Sequence, residues 1–172
     1  MTASVDSVTL RSEAADDAGA VRTVLIEAFG DPSEARLVER LRRDGDIVLA
    51  LVATEPAEGV IGYVSFVRLQ ITPPGGAPGI ALAPLAVATS HQRRGIGSTL
   101  VRAGIHRLTA DREQIVFVLG DPAFYRRFGF SLQHARGFAS PYQGPHFMAL
   151  RLAANAPSRG QVCYPAAFED LG

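Results

Sequence analysis

"SHQRRGIGSTLVRAGI", Ser90 to Ile105, carries two arginines into a glycine-rich turn and then straight into an apolar-striped helix. Ile96, Leu100, Gly104 and Leu108 recur at helical spacing with Val101 and Ile105 beside them, so the turn Gln92-Arg93-Arg94-Gly95-Ile96-Gly97 sits where a helix starts. An apolar run, IALAPLAVA, precedes it, and QIVFVLG (Gln114 to Gly120) follows the helix as a short buried strand. Strand, helix and strand make a βαβ unit. At such a junction the unpaired backbone N–H groups and the helix dipole together form an anion site. The stretch lacks the spacing of a P-loop and of the dinucleotide fingerprint. Taken alone, such a turn is more often a plain strand-to-helix connection than a different kind of phosphate binder. Pro84 adds a second signal, because a residue that cannot donate to a β-ladder makes a buried strand bulge or open midway.

Working outward, VTLRSE (Val8 to Glu13) reads as a first strand, and Asp16 to Phe29 places Ala18, Val21, Leu25 and Ala28 at helical spacing. In DPSE, Asp31 is expected to cap a second helix, with Pro32 at its first position, Glu34 closing a capping box and Leu37, Val38 and Leu41 facing inward. Ile47 to Thr54 and Gly59 to Ile71, rich in β-branched and aromatic residues, read as an antiparallel hairpin. Thr72 to Gly79 reads as a loop from its Pro and Gly content. Downstream, DPAFYRRFGF gives one short helix from the Asp121-Pro122 start to Phe128, stopped by Gly129. Pro145 to Leu152 reads as a late strand. Residues 1–152 are expected to form one domain, with residues 153–172 a tail that packs on it.

Composition bounds what such a domain does. At 172 residues and 47% hydrophobic, the chain can bury a sizeable core without a disulfide staple. Seventeen Lys+Arg balance seventeen Asp+Glu, removing the global attraction most nucleic-acid binders use, so no nucleic-acid partner is expected. The single Cys163 makes no intrachain disulfide and no Cys/His spacing resembles a zinc site, so a reducing compartment and no metal are expected. The N-terminus has no secretory pattern and no window approaches a membrane span. A cytoplasmic protein with no membrane partner is expected.

PLAVATSHQRRGIGSTLV resembles the central motif of the GNAT superfamily of N-acetyltransferases, whose acetyl-CoA pyrophosphate loop reads Gln/Arg-x-x-Gly-x-Gly/Ala. Gln92, Gly95 and Gly97 fill that pattern. GDPAFYRRFGF resembles the family's following helix, where a tyrosine commonly faces the cofactor sulfur. With AFGDPSEARLVERLR and a tail of the form Gly-x-Val-x-Tyr-x-x-Ala-Phe, the chain is similar to the YhbS-like branch over nearly its full length. The resemblance implies an α/β architecture, a GNAT-like acyl-CoA N-acyltransferase fold. Its central twisted mixed sheet of about seven strands has helices on both faces and splays between strands four and five.

The resemblance also implies roles. Backbone groups around Leu85, Ala86 and Val87 pair with the pantetheine, and the Val87 N–H polarises the thioester carbonyl. Gln92, Arg93, Arg94, Gly95, Ile96, Gly97 and Ser98 hold the pyrophosphate, and Arg102 reaches the adenine or 3′-phosphate. Tyr125 is the proton donor to the leaving thiolate. The implied reaction is direct attack of a primary amine, of a small molecule or a peptide, on acetyl-CoA as cosubstrate in a ternary complex, by a monomer or homodimer. The other reading is a non-catalytic acyl-CoA-binding or regulatory domain. The base is not legible: Glu27, Asp31, Glu34 and His91 are positional guesses, and ordered water serves as well. Arg126 and Arg127 read as a solvated face, and Phe138, Tyr142 and Phe147 as acceptor-pocket or core residues alike.

Overall fold

The computed structural model describes residues 7–72 and 77–171. In chain order the elements are β1 (Thr9–Ser12), α1 (Ala18–Phe29), α2 (Ser33–Asp44), β2 (Ile47–Glu55), β3 (Gly59–Thr72), β4 (Ala77–Val87) and α3 (Ile96–Ala110). There follow β5 (Ile115–Leu119), α4 (Pro122–Tyr125), α5 (Leu132–Ala135), β6 (Phe138–Ala139), β7 (Phe147–Arg151) and β8 (Gly160–Cys163). They form one mixed sheet in the order β1-β2-β3-β4-β5-β7, antiparallel throughout that path except for the parallel β4–β5 pair. β8 pairs with Gln70–Thr72 of β3 and with β6, so it takes over along the edge of β3 that β2 leaves after Val67. The sheet therefore has eight strands among the described residues, one more than the expectation of about seven.

Helices cover both faces. α3 packs Ile96, Leu100, Val101 and Leu108 onto the central strands, as its apolar periodicity predicts. It comes unusually close, because a Cβ at Gly104 would lie 2.2 Å from the Phe66 ring. On the opposite face α1 and α2 bury Val21, Leu25 and Val38 against Val52, Tyr63 and Ala86. The C-terminal 3-10 segment Ala166–Leu171 packs Ala167 and Phe168 against Leu37 and Leu41 of α2.

Three local expectations are corrected. β4 begins at Ala77, in register with Ile71, so Ala77, Pro78 and Gly79 belong to a strand and not a loop; paired backbone overrides the Pro and Gly content. The remaining tip of that expected loop, residues 73–76, lies outside the described residues. At the start of α2, Pro32 occupies the cap position, and Asp31 Oδ1 accepts from the Ser33 N–H at 2.7 Å. No side-chain cap forms there and Glu34 closes no capping box, which leaves its carboxyl free to face elsewhere. Asp121, by contrast, caps α4 as expected, accepting from the Ala123 N–H at 2.9 Å.

Candidate active site

β4 and β5 pair only over Ile80, Ala81 and Leu82. Beyond Leu82 the two strands part at Ala83–Pro84, the place the sequence marked for opening, and the β3–β4 register shifts opposite it between Val64 and Phe66. β4 then resumes pairing with β3 through Leu85, Ala86 and Val87. The Ala88 N–H donates to the Ile61 carbonyl at 2.8 Å, which fixes the alternation of this antiparallel pair. Leu85 and Val87 therefore turn their backbone N–H and C=O groups away from β3 and into the gap toward β5. Ala86 turns the other way, its backbone engaged with Tyr63, so it offers no polar group to the gap.

The turn from β4 to α3 is anchored from three sides. Gln92 Nε2 donates to the Val87 carbonyl at 3.0 Å, occupying that acceptor and leaving the Val87 N–H toward the gap. Thr89 donates from its N–H and its hydroxyl to Glu27 of α1. His91, 3% exposed, has Nε2 2.8 Å from Glu55 Oε2 and Nδ1 2.8 Å from Ser90 Oγ. Glu55, Glu58 and His91 bring ligand atoms within 4.8 Å of one another, with Arg94 4.0 Å from Glu55. The guanidinium there supplies the positive charge that a cation would otherwise bring. Arg93 and Gly95 adopt left-handed φ values of 65° and 81°, which at Gly95 explains the glycine. Gly97 has no such need: a Cβ there would make ordinary contacts of 3.7 Å with Leu85 and Val87. Its bareness instead leaves the mouth between loop and gap open.

Arg127 is exposed, in keeping with its reading as a solvated face, and it also reaches back to α3. Its Nη2 donates to Ser98 Oγ in the first turn of α3 at 2.9 Å, and its guanidinium lies over the Phe124 ring at 4.7 Å. Arg102 lies over Phe128 at 5.0 Å. Together Arg102, His106 and Arg127 line an open depression of about 600 Å³ along the later turns of α3. Phe124 and Phe128, in the segment after Asp121, hold the two guanidinium groups in place, a role that sequence spacing alone does not reveal.

A second cavity, about 240 Å³, opens at the parted strands and is lined by Pro84, Leu85 and Tyr125. Tyr125 is 9% exposed, and burial pushes its phenol up to about 12. Its ring fits against β5 because a Cβ at Gly120 would lie 2.5 Å from it. Of the four positional guesses for a base, only Glu34 lines this cavity. Glu27 is engaged by Thr89, Asp31 by the Ser33 N–H, and His91 by Glu55. Burial, with the nearby Asp31 charge, holds the Glu34 carboxyl above the usual carboxylate range. Tyr142 joins the lining, whereas Phe138 and Phe147 pack on Phe117 in the core. Tyr164 and Phe168 of the tail complete it, and nothing in the sequence assigned them there.

A sheet that parts after a parallel pair, with a loop and helix N-terminus at the opening, defines an acyl-CoA acyltransferase architecture. The chain belongs to the GNAT family: the acetyltransferase (GNAT) domain model matches residues 45–132. It is 36% identical over 149 residues to the N-acetyltransferase YhbS of Escherichia coli K12, covering 86% of this chain and 89% of that protein. The crystal structure of E. coli YhbS in complex with CoA superposes with a TM-score of 0.91 at 34% identity, covering 100% of this chain and 97% of that one. A GNAT family acetyltransferase from Brucella melitensis, in complex with acetyl-CoA, gives 0.80 at 30% identity, covering 95% and 99%. Among the described residues, no helix is long and apolar enough to cross a membrane.

Proposed function

We propose that the protein transfers the acetyl group of acetyl-CoA to a primary amine by direct attack in a ternary complex. The observation that carries this reading is the parting of β4 from β5 after Leu82, with the loop at one end of the opening and Tyr125 in the cavity at the other. The CoA complex of a relative that superposes over the whole chain supports it.

In this reading the backbone N–H groups from Arg93 to Ser98 bind the pyrophosphate at the positive end of α3. Arg102 takes the adenine or 3′-phosphate, and Arg127, steadied on Ser98 and Phe124, joins it. The pantetheine lies along Leu85 and Val87 as an added strand would, exchanging amide hydrogen bonds with the groups turned into the gap. The free Val87 N–H polarises the thioester carbonyl and stabilises the oxyanion as the amine nitrogen attacks. The C–N bond forms, the C–S bond breaks, and Tyr125 donates a hydrogen bond to the departing thiolate. With its phenol near 12 against about 8.5 for a simple thiol, Tyr125 stays protonated and shares its proton without surrendering it outright.

Calorimetric titration with acetyl-CoA, followed by thiol release with and without amines, tests this. One acetyl-CoA bound per chain and release that requires an amine is the expected result. Absence of binding, or release indifferent to amines, would overturn it.

A further inference from the structure

The cavity that Tyr125 lines at the parted strands carries more information than an opening for an acceptor. Among the described residues lining it, Glu34 is the only charged one, and no cationic side chain faces it. No hydrogen bond or ion pair to the Glu34 carboxylate occurs among the described residues. A partly buried carboxylate in that condition costs free energy unless something cationic arrives to meet it. The other walls are apolar side chains of the parted strands and α2, with a cluster of rings on the tail side. Tyr142 and Tyr164 meet edge to face at 4.8 Å, and Tyr164 meets Phe168 at 5.1 Å. Phe29, 43% exposed, and Leu119, 53% exposed, stand at the same cavity, although large apolar side chains are seldom exposed elsewhere on the described surface. Apolar exposure concentrated at a cavity mouth marks a place where a ligand covers it. At about 240 Å³ the cavity falls below the roughly 300–1,000 Å³ of sites for drug-sized ligands.

Resting on the acetyltransferase reading, we infer that the acceptor is a compact monoamine bearing an apolar or aromatic group. The rings of Phe29, Tyr142, Tyr164 and Phe168 receive that group, and Glu34 pairs with its ammonium and accepts the proton. The single carboxylate matches a single positive charge. A polyamine would leave its further charges against rings, and an amine with an acidic group would meet Glu34 with like charge. Protons balance: Glu34 takes one from the ammonium and passes it to solvent. The neutral amine attacks the acetyl carbon, the second proton lost from nitrogen passes to solvent, and the thiolate leaves hydrogen-bonded by Tyr125 and takes its proton from solvent. The raised Glu34 carboxyl makes it a better acceptor than an ordinary glutamate.

The test measures thiol release from acetyl-CoA by the full chain with 2-phenylethylamine, hexylamine, spermidine and a lysine-containing tripeptide, alongside calorimetry with acetyl-CoA. The two apolar monoamines are expected to lead in kcat/KM by about tenfold or more, the scale that pocket complementarity supplies. Tyr164→Ala is expected to raise KM for them. Glu34→Gln should lower kcat/KM by roughly a hundredfold with acetyl-CoA affinity unchanged, and should move the pH profile alkaline, following the fraction of neutral amine. The sign of the stability effect separates this role from a structural one. A carboxyl raised in the folded state contributes stability below its unfolded pKa and loses it as pH rises through the folded value. Glu34→Gln should therefore melt at a higher temperature at neutral pH. Preference for spermidine or the tripeptide, or a Glu34→Gln rate within about twofold of wild type, would overturn the inference while leaving the acetyltransferase reading standing. Failure of acetyl-CoA to bind would overturn both.

Discussion

Tyr125 stands in the opened sheet only because residue 120 has no side chain. A Cβ at Gly120 would lie 2.5 Å from Tyr125 Cε2 and 3.0 Å from Cδ2, so the ring must move if one is added. Gly120→Ala is expected to lower kcat with little change in acetyl-CoA affinity. Tyr125→Phe, which keeps the ring and loses the hydroxyl, should lower kcat by about tenfold to a hundredfold. Because burial pushes the phenol up to about 12, the proposed donor stays protonated, and no alkaline fall in rate below about pH 10 should trace to it. Single-turnover thiol release across pH checks all three. Tyr125 was legible in the sequence because a motif surrounds it. Glu34 was one guess among four because its distinction is burial, created by Tyr142, Tyr164 and Phe168 arriving from distant parts of the chain. The contact of Arg127 with Ser98 is likewise hidden from the sequence, since the two lie 29 residues apart.

At the scale of elements, the α3 stripe and the Gly95 turn told most of the story, and Pro84 marked the parting of the strands. These features are written in contiguous residues, where periodicity and backbone restrictions act directly. What the sequence concealed were pairings: β4 extends back to Ala77 because Ile71 pairs with it, and the two residues of β6 are a strand only because β8 lies beside them. The loop supports a sharp expectation. A Cβ at Gly97 meets nothing closer than 3.7 Å, so Gly97→Glu should fold, while its bulk and negative charge occupy the mouth at which the pyrophosphate is proposed to bind. Loss of acetyl-CoA affinity without a fall in melting temperature is expected, checked by calorimetry and thermal unfolding. A folded variant with unchanged affinity would remove the loop from the binding site.

For the whole molecule, the tail has two attachments that the sequence could only suggest through its apolar residues. β8 extends the sheet beside β3, and Phe168 packs on α2, so the same segment closes the sheet edge and walls the cavity. Truncation after Arg159 should lower the melting temperature by exposing the edge at Gln70–Thr72. Where the truncated chain remains folded, acetyl-CoA affinity should persist, because the loop and the backbone of Leu85 and Val87 belong to elements that the truncation leaves in place, and KM for the amine should rise. An unchanged amine KM would detach the tail from the acceptor site. The claim on which all of this rests is that the opening between β4 and β5 is filled by acetyl-CoA in order to acetylate an amine. Calorimetric titration with acetyl-CoA, followed in the same sample by thiol release on adding 2-phenylethylamine, addresses it most directly. One site per chain with amine-dependent release is the expected result, and no heat of binding in a folded sample would contradict it.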